Sequence, residues 1–227
     1  MPIHRHIKYS DGQTSIGIWN IEEYESFFSS RLHLFEDEQL ETESLNNRKR
    51  LEWFAGRYLL HDMLGVDDRI HCRKDIFGKP FLNDDHRHIS LSHSQDFAAV
   101  IVSEHSVGID IQYLTEKIER IAPKFMTTSE FASVGKAHRL EQLHVYWGAK
   151  ESLYKAYGKR SLDFRDHIFL DDFVFSIYGG QTTARVEKEN FIQHFNVSYR
   201  LLERYVLVWC EAPPSLPEGE EQCRRLQ

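Results

Sequence analysis

"FAAVIVSEHSVGIDIQ", residues 97–112, decides how this chain folds. Two apolar runs, 97–103 and 107–112, flank a short polar link at Glu104–Ser106. Both runs are rich in β-branched residues and read as strands joined by a turn. Working outward, strands gather in clusters and helices in others. Toward the N-terminus, 3–9, 15–19, 72–77 and 88–91 read as short strands. Residues 21–30 and 38–64 read as helices, the second ending near Gly65. Toward the C-terminus, 117–124, 128–138 and 140–158 carry helical periodicity. "DDFVFSIY" (171–178), "QTTARVE" (181–187), "FNVSYRL" (195–201) and "YVLVWC" (205–210) then read as a β-meander, with Gly179–Gly180 as its first turn. Strands that cluster instead of alternating with helices predict an α+β fold, not a parallel α/β sheet. The plan runs twice: a long helix packed on a small antiparallel sheet. The expected units are two pseudo-symmetric halves, 1–106 and 107–211, with a frayed Pro- and Glu-rich tail at 212–227.

Bulk properties narrow the function. No apolar run approaches the roughly 20 residues that span a bilayer, and "MPIHRHIKYS" has no apolar leader region. Three scattered cysteines (Cys72, Cys210, Cys223) suit a reducing cytoplasm better than a disulfide framework. The formal net charge is −7, and residues 21–43 alone carry eight acids against Arg31. The remainder is about neutral, with basic islands at 46–60 and 136–160. A nucleic-acid binder is usually basic throughout, whereas local islands suit a phosphate-bearing small ligand or one acidic partner surface.

In "VGIDIQ", strand alternation puts Val107, Ile109 and Ile111 on one face and Gly108, Asp110 and Gln112 on the other. An acid between isoleucines needs a pairing partner or a cation. Gly108 permits close approach on that face. "ISLSHS" (89–94) leads a strand into Ser92, His93 and Ser94, a group suited to phosphate oxygens and equally readable as a polar turn. "FGKPFL" (77–82) holds Lys79 on a stiff loop beside Pro80. On the helix "RKRLEWFAGRYLLHDML" (48–64), Arg50, Trp53 and Arg57 share one flank. Two guanidiniums there suit phosphate, or pair with nearby acids.

"WGAKESLYK" (147–155) poses the sharpest question. At about 100° per residue, Leu143, Tyr146, Trp147, Leu153, Tyr154 and Tyr157 form an apolar stripe. Lys150 falls near its middle, Glu151 on its flank and Lys155 one turn beyond Glu151. A lysine there must snorkel out or meet a negative group. The plain alternative is a Glu151–Lys155 helix pair beside a snorkelling Lys150. Taken together, two acids (Asp110, Glu151) and several cations and donors (Arg50, Arg57, Lys79, His93, Lys150, Lys155) read as a magnesium–polyphosphate site.

"FGKPFL", "ISLSHS", "VGIDIQ", "KFMTTSEF" and "WGAKESLYK", in this order, resemble the 4′-phosphopantetheinyl transferases, and "RLEWFAGRYLL" looks like that family's N-terminal helix. The resemblance spans roughly 45–160 and is nearest to the longer, single-chain, surfactin-synthetase-activating type. It implies transfer of phosphopantetheine from coenzyme A to a carrier-protein serine, releasing 3′,5′-ADP. It also implies catalytic roles for Asp110, Glu151 and Lys155, with Asp110 and Glu151 holding Mg²⁺. Lys150, Lys155, His93 and Ser92 would hold phosphate oxygens. Lys79, Arg57 and Arg50 would reach the adenosine end. Glu130 falls on the acid of the segment that "KFMTTSEF" resembles. Gln112 stands where the longer type commonly has a third, acidic metal ligand; its amide oxygen would serve instead. The expected partners are coenzyme A and an acidic acyl or peptidyl carrier protein, with no nucleic acid or membrane, for a cytoplasmic monomer. Gln112 keeps open a non-catalytic relative that binds coenzyme A or carrier protein. A metal-dependent phosphohydrolase using Asp110, His93 and Glu151 is a further alternative.

Overall fold

The link at 104–106 does not close a hairpin. It carries the chain from one sheet to another in the computed structural model, which describes residues 7–8 and 12–214. The first sheet is antiparallel: β1 (Ile7–Lys8), β2 (Thr14–Asn20), β5 (His88–Ser94) and β6 (Phe97–Ser103), in the order β1-β2-β6-β5. A small ribbon pairs β3 (Cys72–Lys74) with β4 (Pro80–Leu82). The second sheet comprises β7 (Val107–Tyr113), β8 (Ile168–Leu170), β9 (Gly180–Lys188), β10 (Phe191–Leu202) and β11 (Tyr205–Glu211), in the order β7-β11-β10-β9-β8, again antiparallel. The helices are α1 (Glu25–Ser29), α2 (Glu36–Glu43), α3 (Asn47–Leu64), α4 (Lys117–Phe125), α5 (Thr128–Ser133) and α6 (Arg139–Tyr157). The fold is mixed α+β with antiparallel sheets, as the clustering of strands predicts. Among the described residues, no helix is long and apolar enough to cross a membrane.

The continuous apolar character of β6 follows from burial on both faces. Ala98, Val100 and Val102 pack under α3 with Phe54, Leu59 and Leu60. Ala99 and Ile101 join Ile16 and Ile18 against Val107, Ile109, Ile111, Leu207 and Trp209 of the second sheet. The other face of β11 (Val206, Val208, Cys210) lies in a core shared with Leu143, Val145, Ala149 and Leu153 of α6. Layers therefore stack as α3, first sheet, second sheet, α6.

The edges of the two sheets meet through serines. β7 is an edge strand, and its outward N–H groups need acceptors when buried. Ile109 N–H donates to Ser90 Oγ (3.2 Å), Ile111 N–H to Ser92 Oγ (3.2 Å) and Tyr113 N–H to Ser94 Oγ (3.1 Å). The alternation in "SLSHS" is thus a set of rungs between two sheets.

Several boundaries differ from the sequence expectation. The helix expected at 38–64 is two, α2 and α3, because the Asn46 side chain accepts the Lys49 N–H (3.0 Å) and restarts the helix. The helix expected over 21–30 reduces to α1, and that over 128–138 stops at Ser133. Residues 171–178 form no strand. Their alternating aromatics pack as a loop instead, Phe173 and Phe175 against the Tyr199 ring, and the Ser176 N–H donates to Tyr199 Oη. The strand before β9 is β8, and the tight turn of the meander falls at Glu189–Asn190, where Glu189 is left-handed (φ 54°). The tail lies outside the described residues beyond position 214, as does most of the strand expected at 3–9.

Candidate functional site

Gly108 lets α6 descend onto β7. A Cβ built there would lie 1.8 Å from the Ser152 carbonyl oxygen, so only glycine fits. That approach brings the polar face of β7 against Glu151 and Lys155 of α6. Asp110 is buried and accepts three side-chain hydrogen bonds. Ser92 Oγ–H (2.9 Å) and Lys155 Nζ (2.8 Å) reach Oδ1, and the Gln112 amide Nε2 (3.0 Å) reaches Oδ2. Lys155 also donates to the Ile109 carbonyl (2.8 Å). The plain helix pairing of Glu151 with Lys155 is therefore not what Lys155 makes.

Glu151 stands beside this group. Burial pushes its carboxyl above the ordinary carboxylate range, Asp110 adds to the rise by repulsion, and Lys155 opposes it. Two carboxylates placed near one another form a donor set suited to a hard divalent cation, one that keeps several waters and one or two carboxylates. Among the described residues, no group of three or more His, Cys, Asp or Glu side chains gathers as a metal site.

Gln112 departs from the expected geometry. His144, which the sequence reading did not single out, lies with Nδ1 3.0 Å from Gln112 Oε1 and with Nε2 beside both the Thr115 N–H (3.0 Å) and the Thr115 carbonyl oxygen (3.1 Å). Burial lowers the His144 pKa. The amide oxygen of Gln112 is thus turned to His144, and its NH₂ faces Asp110. In this structure Gln112 is a donor to Asp110 through its amide nitrogen.

A cavity of about 250 Å³ opens at the seam between the sheets. Lys79, Lys155, Lys159 and Arg160 line it, with Phe77, Ser90 and Tyr154 among its other walls. The stiff loop does hold Lys79 across the seam, where Nζ donates to the Ala156 carbonyl at the end of α6 (2.6 Å). Burial lowers the Lys79 pKa. Lys159 and Arg160 were missed as site residues, although they belong to the basic island at 136–160. Their signal is their place just beyond Gly158, the left-handed residue that ends α6.

The remaining expected residues lie elsewhere or are engaged. Lys150 does not face a cleft: it is 0% exposed, and its three N–H groups meet Glu130 Oε2 (2.8 Å) and the Phe164 (2.8 Å) and Ile168 (2.7 Å) carbonyls. Its position in the apolar stripe is explained by the Glu130 carboxylate, which reaches the core from the first turn of α5. Arg57 is buried, stacked on Trp53 and 3.6 Å from Glu38 Oε1. Arg50 pairs with Glu25 (2.8 Å). Both guanidiniums answer to the acidic segment 21–43, not to the cavity. Ser92 is taken up by Ile111 and Asp110, so its hydroxyl is a seam contact. His93 stays half-exposed and does not line the cavity; its Nδ1 lies 2.9 Å from Glu52 Oε2.

Residues 106–210 match the family model described as the 4′-phosphopantetheinyl transferase superfamily. The chain is 33% identical over 111 residues to "4′-phosphopantetheinyl transferase gsp" of Aneurinibacillus migulanus. That match spans about half of each protein, 48% of this chain and 46% of the relative. It is 25% identical over 205 residues to "4′-phosphopantetheinyl transferase" of Bacillus subtilis, covering 82% of this chain and 89% of that protein. The resemblance read from the sequence is thereby shown, and the enzyme class these relatives support is the 4′-phosphopantetheinyl transferases.

Proposed function

We propose that this chain transfers the 4′-phosphopantetheine group of coenzyme A to a serine hydroxyl of an acyl or peptidyl carrier protein, with Mg²⁺, releasing 3′,5′-ADP. The observation that carries this reading is the adjacency of two unlike surfaces at one seam. A carboxylate pair (Asp110, Glu151) shares Lys155 with a cavity lined by three further cations. Lys79, Lys159 and Arg160 would hold the phosphates of the donor. Lys155 would sit between the carboxylates and the pyrophosphate. Asp110 and Glu151 would hold the Mg²⁺, which when bound neutralises pyrophosphate charge.

In the reaction the serine oxygen attacks the β-phosphorus of coenzyme A. A serine–phosphorus ester bond forms, the bridging phosphorus–oxygen bond breaks, and 3′,5′-ADP leaves. The serine proton passes to Glu151, whose proton affinity burial raises above that of an ordinary carboxylate. Lys155, together with the cavity cations, stabilises the charge that gathers on the leaving phosphate. The same reading takes 1–106 and 107–211 as related halves, with α3 on the first sheet and α6 on the second. It takes the protein as a cytoplasmic monomer, its partners coenzyme A and a carrier protein with an acidic helix, with no nucleic acid or membrane.

The Gln112 amide, turned as a donor to Asp110, favours a second reading in which the chain binds coenzyme A without transfer. One experiment separates the two. Protein, coenzyme A, Mg²⁺ and an apo carrier protein are combined, and the carrier is read by intact mass. A gain of one phosphopantetheine supports transfer. Binding of coenzyme A without that gain supports the second reading, and phosphate release without carrier would indicate a phosphohydrolase.

A further inference from the structure

His144 lies on α6 outside every motif that carries the family resemblance, and it is 3% exposed. Its neighbours fix which ring nitrogen carries the hydrogen. The Thr115 N–H points at Nε2 (3.0 Å), and Gln112 Oε1 lies 3.0 Å from Nδ1. Gln112 Nε2 stands between two acceptors, Asp110 Oδ2 (3.0 Å) and the His144 carbonyl oxygen (3.5 Å), so that end of the amide is the NH₂. The amide oxygen therefore faces Nδ1, which must donate, and a bare Nε2 accepts the Thr115 N–H. The Thr115 carbonyl oxygen, 3.1 Å from Nε2, offers the other tautomer a partner. An Nε2–H, however, would meet the Thr115 N–H donor to donor. The bare Nδ1 would then meet Gln112 Oε1 acceptor to acceptor. The Nδ1–H ring is the one that satisfies the whole chain.

The chain ends on a carboxylate of the candidate metal pair. Asp110 Oδ1 accepts Ser92 Oγ–H (2.9 Å) and Lys155 Nζ (2.8 Å). Oδ2 accepts the Gln112 NH₂, which leaves it one lone pair of the roughly four that a carboxylate offers. An amide that swung round would aim its oxygen at Asp110 and its NH₂ at the Nδ1–H. Gly148, one turn beyond His144, lets the amide lie against α6: a Cβ built there would come 3.1 Å from Gln112 Nε2.

We propose that His144 is a positioning residue: its Nδ1–H locks the Gln112 amide as a donor to Asp110, which aims the Asp110 carboxylate and keeps the amide oxygen off the divalent cation. This inference rests on the function proposed above. The protein ligands of the cation are then Asp110 and Glu151, and Gln112 acts through Asp110. Neighbours that orient a ligating carboxylate set the affinity for the metal it holds. His144 itself touches neither metal nor substrate.

The test uses His144→Leu, His144→Asn, Gln112→Leu and the double variant His144→Leu/Gln112→Leu, each checked by thermal melting. Two readouts are taken. Mn²⁺ affinity is measured by electron paramagnetic resonance, and the His144 tautomer by long-range ¹⁵N–¹H spectra with and without saturating Mg²⁺. The wild-type ring is expected to show Nδ1–H in both spectra, a result that needs no variant to fold. His144→Leu is expected to weaken Mn²⁺ binding about tenfold. Gln112→Leu is expected to match it, and the double variant to add nothing. His144→Asn can donate to Gln112 Oε1 through its own amide and is expected to stay within about threefold of the wild type. An Nε2–H ring in either spectrum, unchanged or tighter Mn²⁺ binding in His144→Leu, or additive losses would overturn the inference while leaving the transferase reading intact. Failure of the wild type to bind Mn²⁺ at all would overturn both.

Discussion

Lys150 and Lys155 lie five residues apart on α6, and each sits 2.8 Å from one carboxylate. The first pair, with Glu130, has side chains 0% and 5% exposed; the second, with Asp110, has side chains 27% and 11% exposed. Lys150 has used all three donors on the protein, and Glu130 also accepts the Thr127 and Leu170 N–H groups. That pair braces α5 and β8 against α6. Lys155 borders an open cavity and shares its carboxylate with Ser92 and Gln112. Identical residue types in one helix thus serve two ends, decided by whether a ligand can reach the charge. A buried lysine pair is a structural device unless space adjoins it.

The comparison is open to direct tests. Lys155→Met is expected to slow phosphopantetheine transfer by about 10²–10³-fold, because it removes charge where the leaving phosphate develops it, with a stability loss smaller than at the Lys150 pair because Lys155 and Asp110 are less deeply buried. Glu130→Ala is expected to do the reverse. It leaves the Lys150 ammonium buried and unpaired, at a cost of about 3–5 kcal/mol by urea denaturation. Replacing both partners together, Glu130→Gln with Lys150→Met, should recover most of that loss.

A third test concerns pH. The folded-state pKa of Glu151 is raised, so its contribution to stability is fully present below the ordinary carboxylate pKa and is lost as pH rises through the folded value. In chelator, Glu151→Gln should therefore raise the melting temperature near neutrality by about 1–4 °C, and the gain should vanish in acid. A comparable effect is expected at the rungs between the sheets. Ser90→Ala leaves the Ile109 N–H without its acceptor and should cost about 1–2 kcal/mol.

Much of this was legible in the sequence, and the exceptions share a cause. β6, β7 and α6 carry their own periodicity over many residues, so their presence and facing were readable. Asp110 and Glu151 stood out because each is an acid set in an apolar element. The break at Ser44–Asn46 was hidden because the segments on either side both read as helix, and one cap residue divides them. Residues 171–178 alternate like a strand, but their aromatics were answering Tyr199 across a loop. The partner of Lys150 comes from α5, twenty residues away, and no local pattern announces it. The orientation of Gln112 is set by His144 on another element. Ser92 and Ser94 looked like phosphate donors because nothing in the sequence says that another sheet's edge lies against them.

The most direct test of the central claim is the intact-mass transfer assay on Glu151→Gln, with coenzyme A binding measured on the same preparation. The account predicts a folded protein that binds coenzyme A and adds no phosphopantetheine to the carrier. Transfer at close to the wild-type rate would contradict it and move the base away from the seam.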